Sequence, residues 1–349
     1  MSRANHAGLT FYAAIRAMVL GLVLVIAGAT MAPAFAQQGQ QINPTARSLK
    51  EEDLLKALKD GDTVRGRITI PDRNAANLIQ PEGQAWRDYR RDTLPRIGAI
   101  AVLGMLVALC LFYAFRGRIE IDGGPSSQRI ERFNGFERFT HWLTASSFLI
   151  LGFTGLNVTF GRSLLLPIIG PEGFTGLSVF AKYLHNYLGF AFMLGVALTF
   201  LIWVRDNIPG KVDVEWFKAG GGILKGSHHP PAKRFNGGQK IIFWTVVLGG
   251  ALLSISGLHL LFPNLVGGGI IEIQTQSVIH GILAMIMIAI IIAHIYIGSV
   301  GMEGAFDAMG SGEVDLNWAK AHHSLWVEEE LKAKGSKVVH PAGHVAPAE

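Results

Sequence analysis

Cysteine and charge are what this sequence has least of. Its 349 residues include one cysteine, Cys110, and only 16% of them are charged. A lone cysteine excludes an internal disulfide and an iron–sulfur cluster held by this chain's own thiolates. The chain also has no Cys-x-x-Cys-His motif, which excludes covalently attached c-type haem. Any metal-containing cofactor must therefore be held by other side chains.

Hydrophobic residues, by contrast, make up half of the chain, and the mean hydropathy is +0.33. This composition is typical of a membrane protein surrounded by a lipid bilayer. The net charge of +5 does not indicate nucleic-acid binding, because the basic residues lie mainly between apolar segments. No recognised nucleic-acid-binding fold accompanies them, so we expect no nucleic-acid partner.

The N-terminal part of the chain is predicted to form three pieces. Residues 1–36 have the features of a secretory signal peptide, with a short apolar core and Ala-Phe-Ala before Gln37. An uncleaved signal anchor is the alternative. Residues 37–95 are polar and are predicted to be a small periplasmic segment. Residues 96–116 are apolar, contain no histidine and predict an extra transmembrane helix.

Four further apolar segments predict a four-helix membrane domain within residues 125–330. They cover approximately residues 141–160, 182–204, 241–262 and 277–300. Residues 331–349 are rich in proline and alanine and predict a disordered cytoplasmic tail.

Loop charges predict the orientation of these segments. The loops at 116–140 and 205–240 hold five arginines and seven Lys or Arg, respectively. The loops at 161–181 and 263–276 hold one arginine and none. Basic loops favour the cytoplasm. We therefore predict a multi-pass protein with a periplasmic mature N-terminus and a cytoplasmic C-terminus.

The last apolar segment, Ser277–Val300, has no Asp, Glu, Lys or Arg but carries His280 and His294. The two histidines are fourteen residues apart, which is about 21 Å along a helix and within roughly 40° around it. Ionisable residues inside a membrane indicate function. The predicted topology puts His141 at the depth of His294, and His185 at the depth of His280. We therefore predict two bis-histidine sites, an arrangement that suits axial ligation of two haems inside a helix bundle.

Glycines and arginines near these histidines are secondary candidates. Gly155 follows His141 by fourteen residues on the same helix face and predicts clearance for a haem, with helix packing as the alternative. Arg129, Arg132 and Arg138 are candidates to pair with haem propionates near the cytoplasm. Ordinary cytoplasmic loop charge explains these arginines equally well.

The other histidines are predicted to have no ligand role. His259 lies near the outer end of its segment and is predicted to be interfacial. A solvated cytoplasmic surface is predicted for His228, His229, His322 and His323.

Asn236-Gly237-Gly238 is a turn signal placed against the membrane at the depth of the inner histidine pair. The Asn236 amide and exposed backbone N–H groups are suited to bonding a quinone carbonyl. A simple tight turn is the alternative.

Taken together, these motifs resemble the gamma subunit of respiratory formate dehydrogenase. The segments that carry the resemblance lie within about residues 130–328: ERFTHW, YLHNYLGF, IPGKVDVEWF, FNGGQKIIFW, VIHGILAM, IIAHIYIG and WAKAHHSLW. The resemblance implies an all-α, four-helix transmembrane di-haem cytochrome b of the bacterial inner membrane. It also implies two haem b groups, one held by His141 and His294 near the cytoplasm and one by His185 and His280 on the outer side. A quinone acceptor would contact Asn236 and Gly238.

The resemblance further implies a non-catalytic electron-transfer subunit. Its partners would be an iron–sulfur beta subunit and a molybdenum- or tungsten-containing alpha subunit that oxidises formate. The signal, the periplasmic segment and the extra helix depart from the compact four-helix form of that family. One alternative is the cytochrome b subunit of a hydrogenase or thiosulfate reductase. An alternative of another class is a transporter or proton channel that uses its intramembrane histidines.

Overall fold

The computed structural model describes residues 59–60, 81–222, 229–266, 269–335 and 339–341. The chain divides into two units, Met1–Asp88 with Pro347–Glu349, and Tyr89–Ala346. In the first unit, the described residues include helix α1 (Pro81–Asp88). The predicted signal peptide and most of the predicted periplasmic segment lie outside the described residues, so both stay predictions.

The second unit is mainly helical. Its α-helices are α2 (Leu94–Arg116), α3 (Gly135–Leu164), α4 (Leu166–Trp203), α5 (Lys211–Lys218), α6 (Gly237–Trp244), α7 (Gly250–Leu261), α8 (Pro263–Val266), α9 (Ile270–Tyr296), α10 (Asp307–Gly310), α11 (Leu316–His322) and α12 (Ser324–Lys334). Single π-helical turns cover Tyr89–Thr93, Thr245–Gly249 and Ile297–Gly301, and a 3₁₀ turn covers Gly220–Gly222. The strands are β1 (Gln128–Glu131), β2 (Glu313–Asp315) and β3 (Val339–Pro341).

Five helical stretches in the described part of the chain are long and apolar enough to cross a bilayer. They are Ala85–Arg116, Gly135–Leu164, Leu166–Trp203, Gly237–Leu261 and Ile270–Gly301. The fourth consists of α6 and α7 joined by a π-turn. These stretches confirm the predicted fold class, an all-α integral membrane protein in which α2 is the extra N-terminal helix.

Two of the spanning helices begin at an asparagine for the same reason. The Asn134 Oδ1 atom accepts hydrogen bonds from the backbone N–H groups of Phe136 and Glu137, and the Glu137 carboxylate accepts one from the Asn134 N–H. Asn236 and Gln239 form the same reciprocal box at the start of α6. Each box satisfies backbone donors that the first helical turn leaves unpaired, and so fixes the starting residue.

The connection between the second and third spans is helical, although we predicted a loop at residues 161–181. Helix α3 continues to Leu164 and α4 begins at Leu166. The helical geometry is interrupted at Gly170, which has a φ of 72° and a ψ of 172°. Pro171 follows it inside α4. Low charge alone does not interrupt an apolar helix, whereas a glycine at positive φ followed by a proline does.

The membrane core lies midway between the predicted histidine depths. Phe148, Phe192, Val196, Leu253 and Met287 form one buried cluster from α3, α4, α7 and α9. Small residues allow these helices to approach closely, since a Cβ atom added to Gly195 would lie 3.0 Å from the Thr144 Cα atom.

A small sheet outside the spanning helices has the strand order β2-β1-β3, with both pairs antiparallel. Ile130 of β1 pairs with Val314 of β2 and with Val339 of β3. We predicted disorder from residue 331, and this is wrong at two places. Helix α12 continues to Lys334, and Val339–Pro341 pair with the second edge of β1.

Candidate functional site

The predicted outer histidine pair consists of His185 on α4 and His280 on α9, with ring centres 6.2 Å apart. Each ring is oriented by a hydroxyl group. The His185 Nδ1 atom lies 2.7 Å from the Thr154 Oγ1 atom, and the His280 Nδ1 atom lies 2.9 Å from the Ser256 Oγ atom. Both hydroxyls also lie within hydrogen-bonding distance of carbonyl oxygens one turn earlier in their own helices.

These hydroxyls determine which ring nitrogen is available to a ligand. The Thr154 O–H donates to the Ile150 carbonyl, and the Ser256 O–H donates to the Leu252 carbonyl. Each hydroxyl oxygen is then an acceptor for the Nδ1–H group of its histidine. With the proton on Nδ1, the lone pair of Nε2 is free to bind a metal. In a metal-binding histidine, the ring nitrogen that does not bind the metal usually carries a proton and donates it to a hydrogen-bond acceptor.

The predicted inner pair consists of His141 on α3 and His294 on α9, with ring centres 6.3 Å apart. The ring of Trp142 lies 5.2 Å from that of His141. Within the described residues, the buried Nδ1 atom of His141 has no hydrogen-bond partner. The inner pair therefore differs from the outer pair, since no hydroxyl fixes the His141 ring.

The separation of the rings fits one metal ion between each pair. Because an imidazole nitrogen binds a transition metal at about 2 Å and lies about 1.2 Å from its ring centre, rings on opposite sides of one metal have centres about 6.4 Å apart. The observed 6.2 and 6.3 Å agree with this separation. The described residues contain no group of three or more His, Cys, Asp or Glu placed to hold a metal ion by themselves. Two facing imidazoles would hold a haem, whose macrocycle would supply the remaining ligands of the iron.

A cavity of about 280 Å³ adjoins the outer pair and is lined by both histidines. Gly155 and Gly257 also line it. A Cβ atom on Gly155 would lie 3.8 Å from the His185 Cε1 atom, and one on Gly257 would lie 3.4 Å from the His280 Cε1 atom. Larger side chains here would therefore project into the space beside the imidazoles. This agrees with the predicted role of Gly155 in leaving clearance for a flat cofactor.

The structure does not join the predicted quinone residues to the inner pair by any hydrogen bond or ring contact within the described residues. The Asn236 Oδ1 atom accepts from the Gln239 N–H as a helix cap, which leaves the amide NH₂ group as a donor. A Cβ atom on Gly238 would lie 3.0 Å from the Trp216 ring. An apolar groove of about 470 Å³ begins beside Gly237 and Lys240 and runs between α6, α7 and α9 to Met287.

The three arginines that we considered for haem propionates have partners in the region around the small sheet. Arg129 forms an ion pair with Asp307 at 2.8 Å, and Arg138 donates to the Ser311 carbonyl. Arg132 is 3% exposed and lies over the rings of Trp318 and Trp326. Its burial, with Arg234 nearby, lowers the pKa of Arg132 to about 9.

The prediction of a solvated surface is wrong for His322 and His323. His323 is completely buried, and its Nδ1–H donates to the Lys233 carbonyl at 2.8 Å. His322 is 8% exposed and packs against His229 and Trp318. Burial and two neighbours, His229 and Arg132, lower the pKa of His322 to about 3. His228 lies outside the described residues. His259 is half-buried, with Nε2 3.8 Å from the Glu272 carboxylate.

Sequence reasoning missed Thr154 and Ser256, which support the outer pair. A signal for them exists in the sequence, because Thr154-Gly155-Leu156 and Ser256-Gly257-Leu258 repeat one pattern on two helices. In both copies, the hydroxyl residue precedes the glycine that lies beside a histidine ring.

The chain is similar to cytochrome subunits of known formate dehydrogenases. The chain is 28% identical over 214 residues to the nitrate-inducible formate dehydrogenase cytochrome b556(Fdn) subunit of Escherichia coli, covering 60% of this chain and 96% of that protein. It is 29% identical over 210 residues to the formate dehydrogenase cytochrome b556(fdo) subunit of the same organism, with the same coverage. It is 28% identical over 222 residues to the formate dehydrogenase cytochrome b556 subunit of Haemophilus influenzae, covering 62% of this chain and 89% of that protein.

The family model described as prokaryotic cytochrome b561 matches residues 132–312, which is more than half of the chain. This range contains all four paired histidines together with Thr154 and Ser256. The chain therefore belongs to the prokaryotic cytochrome b561 family.

Proposed function

We propose that this chain is the membrane-anchoring cytochrome b subunit of a formate dehydrogenase. In this role it receives electrons from a partner iron–sulfur subunit and delivers them to membrane quinone. The observation that carries the proposal is the pairing of His185 with His280 and of His141 with His294, at two depths of one helix bundle. The names of the relatives, which are formate dehydrogenase cytochrome b556 subunits, support the choice of complex.

In this proposal, four histidines are the axial ligands of two haem b groups. When bound, these groups supply one-electron transfer between the two faces of the membrane. The protein holds the rings of His185 and His280 through Thr154 and Ser256, and so presents their Nε2 atoms. His294 follows His280 by fourteen positions, which sets the two sites about 21 Å apart along α9.

We also propose that quinone binds near the inner pair, with Asn236 and Gly238 as its contacts. The free NH₂ group of Asn236 is a suitable donor to a quinone carbonyl. The neighbouring groove supports this placement, since its lining is mainly apolar and extends toward the bilayer centre. A long apolar tail fits such a groove. Lys240 at the groove's cytoplasmic end is held by Asp213 at 2.8 Å and by the Ile208 carbonyl at 3.0 Å.

The proposed setting is the bacterial inner membrane, with a periplasmic N-terminus and a cytoplasmic C-terminus. Loop charge supports this orientation, since the basic residues are concentrated in loops that share the side of the inner pair. The partners would then be an iron–sulfur beta subunit outside the outer site and a molybdenum- or tungsten-containing alpha subunit. Formate oxidation would occur on the alpha subunit, so this chain would carry electrons without catalysing that reaction.

Spectroscopy of the purified chain tests the cofactor part of the proposal. We expect reduced b-type bands at about two haems per chain. His280→Ala should remove the outer haem and leave the inner one, and His141→Ala should do the reverse. Absence of b-type bands would favour a transporter or proton channel. Retention of both haems in both variants would overturn the histidine pairing.

Co-purification tests the partner part. An affinity tag on this chain should recover an iron–sulfur subunit and a formate-oxidising subunit, and formate should then reduce the b-type bands. Recovery of hydrogenase or thiosulfate reductase subunits would instead assign the chain to one of those complexes. Asn236→Ala and Gly238→Val should slow quinone reduction without changing the reduction of the haems by formate.

A further inference from the structure

Helix α2 lies outside the family match, which begins at residue 132. It nevertheless packs against α9 from Gly281 to Tyr296. At the outer end, a Cβ atom on Gly281 would lie 3.1 Å from Leu94, and one on Gly98 would lie 2.8 Å from the Met285 Sδ atom. At the inner end, the rings of Phe112 and Tyr296 have centres 6.2 Å apart. The two helices therefore run parallel and in close contact.

This packing brings Arg90 and Leu94 to the outer histidine pair. Arg90 and Leu94 line the same 280 Å³ cavity as His185 and His280. Leu94 meets α9 at Gly281, next to His280, and Arg90 lies one helical turn farther out. Ser277 of α9 lines the cavity at the corresponding outer level. Arg90 and Leu94 thus form part of the wall on the side of the site that faces the predicted outer water layer.

Arg90 is the only Lys, Arg, Asp or Glu among the described residues that line this cavity. The remaining lining is apolar or neutral, and Arg90 is exposed at its rim. A b-type haem carries two carboxylate groups on one edge of its macrocycle. Charged groups inside a membrane turn toward the nearest water, which at this site is the rim that Arg90 occupies. Guanidinium and carboxylate groups form strong hydrogen-bonded pairs.

We propose that the segment of residues 90–94 completes the outer site, and that Arg90 is a positioning residue that pairs with the carboxylates of the outer haem. This proposal rests on the proposed function, because it requires a haem between His185 and His280. It assigns a role to a segment that the family match does not include. Its electrostatic consequence is that the positive charge of Arg90 stabilises the reduced form of the outer haem.

The test is a redox titration of the purified complex, followed through the b-type difference bands. Arg90→Gln should retain two haems but make the outer component harder to reduce. Arg90→Gln removes a partly screened unit charge near the iron. We therefore expect the equilibrium constant for reduction of the outer haem to fall about three- to tenfold. A tenfold change corresponds to about 59 mV for a one-electron couple. The midpoint potential of the inner haem should not change. His280→Ala, which lacks the outer component, identifies which band is which.

Arg91→Gln is the matched control. Arg91 is the next residue, is also exposed, and pairs with Asp92 at 3.0 Å without lining the cavity. Its removal should leave both potentials unchanged, and Arg90→Lys should restore most of the outer potential. Arg90→Met, which keeps the aliphatic stem, provides a second neutral variant if Arg90→Gln does not accumulate.

The possible failures are distinguishable. Two haems with an unchanged outer potential in either neutral variant would overturn the role of Arg90. An equal shift in Arg91→Gln would overturn it as well, since the effect would then be general surface charge. Absence of the outer haem from the unmodified complex would instead overturn the proposed function.

Discussion

The Thr154 hydroxyl lies 2.7 Å from the His185 Nδ1 atom while it donates to the carbonyl of its own helix at Ile150. One hydroxyl thus connects the backbone of α3 to an imidazole of α4. The equivalent connection on the other side of the site joins Ser256 of α7 to His280 of α9 at 2.9 Å. The outer rings are therefore oriented by two separate helices, α3 and α7, which carry neither His185 nor His280.

Thr154→Val should weaken the outer site without changing its shape. Valine keeps the branched shape of threonine but removes the acceptor for the His185 Nδ1–H group. Loss of such a support typically lowers metal affinity about 10- to 100-fold. We therefore expect faster transfer of one haem per chain to an apo-haem protein used as a scavenger, measured by absorption. Thr144→Val on the same helix is the control, because its hydroxyl bonds to Thr140 and Thr199 and to no histidine. Equal loss from both variants would contradict the assignment.

Gly257→Leu should exclude the outer haem by steric overlap. A Cβ atom at this position would already lie 3.4 Å from the His280 ring, so the longer side chain must enter the cavity. We expect the haem content of the purified protein to fall from about two to about one per chain, with the inner site intact. Gly104→Leu provides the control, since a Cβ atom on Gly104 would have no heavy atom within 4 Å. Two haems in Gly257→Leu would show that the cavity is not the haem site.

The spanning helices and the histidine pairs were accessible from the sequence because both follow from simple periodicities. Apolar length predicts a spanning helix, and fourteen residues return a helix to nearly the same face. Loop charge then orders the depths of the four histidines. No knowledge of side-chain packing was needed to place His141 beside His294, or His185 beside His280.

Features that depend on packing between distant segments were not predictable in the same way. The burial of His323 follows from Trp318 and Trp326 packing around it, and from a carbonyl about 90 residues earlier, at Lys233. Strand β1 pairs with residues more than 180 positions away, and its short sequence carries no signal for them. The approach of Arg90 to the outer cavity likewise depends on how α2 packs against α9.

Acidification should destabilise the region around α11 and α12. Burial, Arg132 and His322 lower the pKa of His323 well below its usual value, although its hydrogen bond to Lys233 opposes this. Its Nε2 atom is buried without a partner among the described residues, so a proton there would be unsatisfied. An unfolded histidine has a pKa of about 6.5. Below that pH the unfolded state binds a proton that the folded state rejects, so stability falls as pH falls.

Hydrogen exchange in α11 and α12 at pH 7.5 and pH 5 measures this loss of stability. His323→Asn is the matched variant, because the asparagine NH₂ group can replace the Nδ1–H donor to Lys233 but does not titrate in this range. We expect the variant to lose about 2 kcal/mol less protection between the two pH values than the natural chain. Identical losses would show that other groups cause the acid sensitivity.

Helices α3 and α4 approach each other closely at Gly195. A Cβ atom at this position would lie 2.5 Å from the Thr144 Oγ1 atom and 3.0 Å from its Cα atom. The second distance involves backbone, so a rotamer change cannot relieve it. Gly195→Ala should therefore push the helices apart and destabilise the bundle by about 1–3 kcal/mol, measured as thermal unfolding in detergent by circular dichroism.

Gly176→Ala on the same helix is the control for Gly195→Ala. A Cβ atom on Gly176 would have no heavy atom within 4 Å, so alanine there should be neutral or stabilise the helix by about 0.5–1 kcal/mol. Combining Gly195→Ala with Thr144→Ala should recover part of the loss, because it removes the hydroxyl but leaves the Cα overlap. The two substitutions should therefore be non-additive. Additive effects would mean that Thr144 is not what limits the approach of α4 to α3.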